Sequence, residues 1–131
     1  MAAKPKKPAA WRRSPCPVAN TLDLVGDRWT LLIIRDMARG KRTYGELAGS
    51  PEGIPTNILA ERLKRLEEAG IVERAAYQER PTRYAYTLSA KGRDLEELLA
   101  AFRRWGKKHI PGVRTYAEAA RDRGRVKRAR A

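Results

Sequence analysis

Residues 43–70 read TYGELAGSPEGIPTNILAERLKRLEEAG and contain the pattern that decides the fold. Thr43 and Glu46 have the spacing at which two side chains satisfy each other's backbone donors at a helix start. After a turn rich in Gly and Pro, a second helix runs from Thr56 until Gly70 stops it. Three leucines form one stripe of this helix: Leu59, Leu63 and Leu66. Two helices joined in this way predict a helix-turn-helix.

The residues before this stretch predict two further helices. The first follows Pro17 and ends at Gly26, because its apolar residues recur at helical spacing. Asp27 offers an N-cap for the second, over residues 28–40, which is closed by Gly40. That helix is apolar around so much of its circumference that we expect it at the centre of the fold.

Beyond Gly70 the periodicity changes to that of strands. IVERAAY and RYAYTL flank the polar stretch QERPT and predict a β-hairpin with Pro81 near its tip. Ser89 can cap a last helix that runs to Gly106 and has one apolar face. The predicted fold class is mainly α with a β-hairpin wing, a winged helix-turn-helix with extra terminal helices for dimerisation.

Charge is concentrated at the two ends of the 131-residue chain, whose formal net charge is +14. Residues 1–15 contain five basic residues and no acid, and residues 107–131 contain nine basic residues and two acids. We expect a basic N-terminal arm, a single domain over 16–106 and a basic C-terminal tail. The N-terminus lacks the apolar run of a secretory signal and no stretch is long enough to span a membrane, so a cytoplasmic location is expected.

The outward face of the helix after Thr56 is the candidate surface for reading DNA. With the leucines inward, Asn57 could pair with adenine, and Lys64 or Arg65 with guanine or phosphate. Thr43 and Thr56 lie at helix starts and are candidate phosphate contacts. An ordinary charged helix surface is the alternative. Arg62 lies nearer the buried stripe, so a salt bridge with a neighbouring acid is as reasonable as a phosphate contact.

The hairpin tip adds Arg80 and Arg83, which we expect to lie along a minor groove or its phosphates. Solvated turn chemistry is the alternative there. No motif predicts catalysis or a cofactor, because phosphate-binding glycine loops and nucleophile elbows are missing. His109 is the single histidine and has no cysteine partner at metal-ligand spacing, so no metal site is predicted.

Three stretches together resemble the HxlR-type branch of MarR-like winged-helix regulators. They are CPVANTLDLVGDRWTLLIIRDMARGKRTYGEL, GIPTNILAERLKRLEEAGIVER and RYAYTLSAKGRDLEELLAAFRRWG, which span Cys16 to Gly106. The resemblance implies a homodimer whose first and last helices form the interface. It also implies a sensor of thiol-reactive compounds at Cys16, the only cysteine, for which a buried, inert thiol is the alternative.

The apolar stripes of the terminal helices also favour a dimer, because a small winged core cannot cover them all. The candidate interface residues are Leu22, Leu98, Phe102 and Trp105. We therefore expect a double-stranded DNA-binding transcriptional repressor that acts as a homodimer on an inverted-repeat operator and responds to thiol-reactive small molecules. It is not expected to be an enzyme or to contact a membrane. The alternatives are a non-specific nucleoid or RNA-binding protein driven by the basic ends, and a winged-helix protein-interaction module.

Overall fold

The computed structural model describes residues 13–115, 117–119 and 121. This part of the chain divides into two compact units, with the boundary between Arg93 and Asp94. It is mostly helical with a two-stranded antiparallel hairpin, so the predicted winged helix-turn-helix class is confirmed. Among the described residues, no helix combines the length and the apolar composition that a membrane span needs.

The first two helices of the first unit are α1, Pro17–Val25, and α2, Thr30–Ala38. Helix α2 begins two residues later than predicted. The Asp27 carboxylate caps it as expected, by accepting hydrogen bonds from the backbone N–H groups of Trp29 at 3.2 Å and Thr30 at 3.3 Å. As predicted, α2 lies at the centre of the core, because five of its nine residues are buried.

Helix α3, Tyr44–Ala48, and helix α4, Thr56–Glu68, form the helix-turn-helix. The predicted capping box is present at the start of α3. The predicted leucine stripe of α4 is also confirmed, since its three leucines are at most 2% exposed. Gly70 has a φ of 73°, a left-handed conformation that favours glycine, and it follows the end of α4 as predicted.

A polar cluster not foreseen from the sequence ties α2 to the turn between α3 and α4. The Arg35 guanidinium donates to Asp36 Oδ1 at 2.9 Å and to both carboxylate oxygens of Glu52, at 2.7 and 2.9 Å. Hydrogen bonds from Arg35 lower the pKa of Glu52 to about 2. Because Asp36 is only 1% exposed, this ion pair compensates a carboxylate inside the core.

The wing consists of β1, Val72–Glu79, and β2, Thr82–Leu88, paired antiparallel. The strands extend further than predicted, because pairing continues to Glu79 opposite Thr82 and leaves a turn of only two residues. The register shifts at Tyr77, which has no partner across the hairpin.

The hairpin base is also fastened to the chain before α3, a contact that the sequence did not predict. Thr43 forms a bridge with Ala85, and the Tyr86 N–H donates to the Arg42 carbonyl at 2.8 Å.

The predicted last helix is divided in two. Ser89 caps the short α5, Ala90–Arg93, because its hydroxyl accepts from the Gly92 N–H at 3.1 Å. In the second unit, α6 spans Leu95–His109 and continues three residues beyond the predicted end. Asp94 separates the two helices, consistent with the low helix propensity of aspartate, although its side chain makes no capping hydrogen bond to α6.

Candidate nucleic-acid interface

Helix α4 exposes one polar face. Asn57 and Lys64 are exposed on the side away from the buried leucines, and Thr56 is exposed at the first position of the helix. Helical geometry therefore groups the predicted base-contacting side chains on one surface. Asn57 offers an amide with two donors and an acceptor, and Lys64 offers an ammonium, the chemistry that reads base edges and phosphates.

The start of α4 is held by a tyrosine from α3. The Tyr44 hydroxyl donates a hydrogen bond to the Thr56 carbonyl at 2.7 Å. Pro55 occupies the N-cap position and provides no side-chain cap. Tyr44 thus fixes the first turn of α4 relative to α3, a role that sequence periodicity could not reveal because it depends on the angle between the two helices.

Thr43 and Arg65 are both engaged within the protein. The Thr43 hydroxyl accepts from the Glu46 N–H at 3.2 Å and donates to Glu46 Oε1 at 3.1 Å. Backbone hydrogen bonds from Thr43 and Arg42 lower the pKa of Glu46. Arg65 Nη2 donates to the Asp23 carbonyl at 3.3 Å, while its side chain is 44% exposed. Arg65 therefore retains exposed donors, whereas the single hydroxyl proton of Thr43 is already used.

Arg62 makes the salt bridge that the sequence analysis offered as one of two alternatives. Its Nε donates to Asp27 Oδ2 at 2.8 Å, and its guanidinium also pairs with Glu61. Burial alone would raise the pKa of Asp27, but hydrogen bonds from Arg62, Thr30 and Trp29 lower it to about 2. Asp27 therefore stays charged and connects the α1–α2 turn to α4.

The wing presents Arg80 in the turn and Arg83 at the start of β2, and both side chains are exposed. Nearer the base of the hairpin, in β1, the guanidinium of Arg74 lies 4.2 Å from the ring centre of Tyr84 and pairs with Glu67 of α4 at 3.5 Å. Arg74 thus orients the wing relative to α4.

Cys16 is exposed and occupies the N-cap position of α1. Arg13 is the basic residue that precedes it most closely in the sequence. The Arg13 guanidinium forms an ion pair with Asp23 at 3.1 Å, so a carboxylate compensates its charge. Residues 1–12 of the basic arm and residues 116, 120 and 122–131 of the basic tail lie outside the described part of the chain.

The predicted interface residues lie on two helices in separate units. In α1, Leu22 is 54% exposed beside Val18 and Leu24, which are exposed as well. In α6, Phe102 is 58% and Trp105 63% exposed, while Leu98 is half-buried. Both helices therefore leave large apolar side chains uncovered in a single chain.

Comparison with known proteins agrees with this architecture. The model of the HxlR-like helix-turn-helix family matches residues 24–113. The HTH-type transcriptional regulator Rv3095 of Mycobacterium tuberculosis is 42% identical over 94 residues, which cover 72% of this chain and 59% of that protein. The chain thus spans less than two thirds of the length of this relative.

Two solved structures share the fold. The redox regulator HypR in its reduced form superposes with a TM-score of 0.68 at 31% identity, covering 73% of this chain and 95% of that one. The reduced form of the transcriptional regulator YodB from Bacillus subtilis gives a TM-score of 0.62 at 33% identity, covering 76% and 98%. The family and these relatives are regulators of transcription rather than enzymes, and the chain described above belongs to the HxlR-like helix-turn-helix family.

Proposed function

We propose that this chain is a sequence-specific repressor of transcription that binds double-stranded DNA as a homodimer at an inverted-repeat operator. The observation that carries the proposal is the polar face of α4, exposed opposite a fully buried leucine stripe. A helix of this kind, second in a helix-turn-helix, is the element that enters the major groove. We also propose a cytoplasmic location, because that is where such a protein would meet its DNA.

The side chains have distinct proposed roles. Asn57 reads adenine and Lys64 reads guanine or an adjacent phosphate, because both are exposed near the groove-facing side of α4. Thr56 and Arg65 contact phosphates around the helix-turn-helix, with Arg65 using the donors that Asp23 leaves exposed. Thr43 is not given this role, because its hydroxyl proton is donated to Glu46.

At the wing, Arg80 and Arg83 follow the backbone or a narrow minor groove, where a guanidinium finds a strong negative potential.

A homodimer accounts for the uncovered apolar faces. The exposed side chains of α1, including Leu22, and those of α6, including Phe102 and Trp105, are large enough to form the centre of an interface. Leu98 would join them at its edge. Two-fold symmetry then presents one α4 to each half-site, with centres about one helical turn apart.

We also propose that Cys16 makes the protein responsive to thiol-reactive small molecules. It is exposed, and one structural relative is named as a redox regulator, while YodB has also been crystallised after diamide treatment. Diamide would oxidise two thiols to one disulfide and take up the two electrons and two protons. The disulfide would join two Cys16 residues or Cys16 and a small thiol.

Diamide treatment should therefore weaken operator binding by the wild type and leave Cys16→Ser unaffected. An equal response of the two proteins would end the thiol hypothesis and leave DNA binding intact.

Selection of bound fragments from random duplex DNA tests the central proposal. The wild type should enrich an inverted repeat, and Asn57→Ala should change the base preference within each half-site. The matched control is Glu68→Ala, which truncates an exposed side chain at the C-terminal end of the same helix, one turn beyond Lys64. The rival function is non-specific nucleic-acid binding by the basic ends, which the net charge of +14 favours. A wild type that enriches no sequence, and that loses its affinity for DNA when residues 1–12 and 122–131 are removed, would support that rival.

A further inference from the structure

Two hydrogen bonds from arginine side chains join α4, the proposed recognition helix, to α1 and the turn that follows it. Arg62 Nε donates to Asp27 Oδ2 at 2.8 Å, in the turn that follows α1. One helical turn further along α4, Arg65 Nη2 donates to the Asp23 carbonyl within α1. Both basic residues therefore hold α4 from the same side, by contacts to residues more than thirty positions earlier in the chain.

The first link lies in a partly buried site. The side chains of Arg62 and Asp27 are 21% and 24% exposed, whereas the exposed ion pair between Arg13 and Asp23 is 64% and 47% exposed. The same Asp27 carboxylate also accepts from the N–H groups at the start of α2. One carboxylate thus fixes α1, α2 and α4 at a common point.

The hydrogen bonds of Arg62 and Arg65 constrain the position of α4 more closely than its buried leucines do. The buried leucines decide which face of α4 turns inward, but hydrophobic contact is non-directional, so they define the shift of the helix along its axis less closely than a hydrogen bond does. Charge-assisted hydrogen bonds are short and directional, and they select one position of the helix. Helix α1 contacts Arg65 through the carbonyl of Asp23, and it exposes apolar side chains at other positions, including Val18 and Leu22.

We propose that the Asp27–Arg62 pair, assisted by the Arg65–Asp23 contact, sets the separation of the two recognition helices in the dimer and so determines which half-site spacing the protein accepts. The inference rests on the proposed function, in which α1 contributes to the dimer interface and α4 reads DNA. Arg62 is then a positioning residue, because its guanidinium binds acids within the protein. Base identity within a half-site is read by other side chains, such as Asn57.

Binding to a set of operators tests the inference. The selected half-sites are kept constant, and the distance between their centres is varied by single base pairs. The wild type should prefer one spacing, whereas Arg62→Gln and Asp27→Asn should each reduce that preference by about tenfold, the loss expected for one charge-assisted hydrogen bond. Both amides keep hydrogen-bonding capacity, so the asparagine side chain introduced by the second substitution can still cap α2.

The two variants control for each other's charge. Arg62→Gln removes a positive charge and Asp27→Asn removes a negative one, so a general electrostatic effect would move their affinities in opposite directions. A positioning role moves the spacing preference in the same direction in both, and combining the two substitutions should add little. Arg62→Lys, which keeps the charge and can donate one hydrogen bond, should restore part of the preference.

Asn57→Ala provides the functional control, because it should change base preference and keep the spacing preference. Variants that retain the wild-type spacing preference, or that lose affinity equally at every spacing, would overturn the inference while the proposed function stands. A wild type that enriches no inverted repeat would overturn the proposed function and the inference with it. Thermal unfolding of each variant identifies any that fail to fold. If Arg62→Gln or Asp27→Asn fails, the spacing preference of Arg62→Lys tests the inference instead.

Discussion

Gly92 lies where the chain has no room for a methyl group. A Cβ atom at this position would stand 2.2 Å from the Ile71 carbonyl oxygen and 3.1 Å from Cδ2 of Leu88. Ordinary contact between such atoms requires roughly 3.5 Å, so α5 would have to retreat by about 1 Å. The obstacle at the shorter distance is backbone, which cannot rotate away as a side chain can.

Gly92→Ala should therefore lower the free energy of unfolding by about 2 kcal/mol, near the middle of the cost of overpacking. The helix propensity of alanine offsets only about 0.5–1 kcal/mol of the strain. Urea unfolding followed by circular dichroism should show a midpoint lower by about 1 M. The melting temperature should fall by about 6 °C.

The matched control is Gly45→Ala in α3, where a Cβ atom would meet nothing within 4 Å. There the same substitution should stabilise the protein by about 0.5–1 kcal/mol, because alanine restricts the unfolded chain. The two substitutions should therefore change the free energy of unfolding in opposite directions. Equal stability of Gly92→Ala and the wild type would refute the close approach of α5 to the wing base.

Acid should destabilise the fold as the pH falls from about 4.5 towards 2. Hydrogen bonds from Arg35 lower the pKa of Glu52 to about 2, so the Glu52 carboxylate binds a proton less readily in the folded protein than in the unfolded chain. Urea unfolding across that range should show a flatter pH dependence for Glu52→Gln. Replacement of both Arg80 and Arg83 by alanine should weaken binding to every duplex and reduce the salt slope by roughly two, as titrations at several salt concentrations would show; unchanged affinity would remove the wing from the interface. Trp105→Asp should give a monomer or an insoluble chain in sedimentation, since it places a charge on the proposed apolar interface, and a soluble dimer would contradict that assignment.

Local patterns predicted most of the architecture. The leucine stripe of α4, the Thr43–Glu46 capping box and the Ser89 cap depend on residues a few positions apart, and all three are present. The order of the elements could be predicted, apart from the division of the last helix at Asp94, because periodicity reports which face of a helix is buried.

Contacts between distant segments could not be predicted in the same way. The sequence offered a salt bridge for Arg62, but its Asp27 partner stands 35 positions away. The Tyr44 hydrogen bond to α4 and the Arg35–Glu52 pair likewise depend on the angles at which helices pack. For the proposed DNA-binding surface, the type and the exposure of the side chains could be predicted, whereas the residues that hold α4 in place emerge only from the tertiary structure.

The wing is secured at its base and unsupported at its tip. Val72 is buried and Tyr86 hydrogen-bonds to the chain before α3, whereas every residue from Glu73 to Arg83 is exposed. Substitutions or insertions around Arg80 and Pro81 therefore change no core contact and have little effect on folding. Substitutions at the tip can therefore change the contact with DNA proposed for Arg80 and Arg83 while the helix-turn-helix is preserved. The same property makes the tip a suitable site for grafting a foreign loop, because the insertion would leave the core undisturbed.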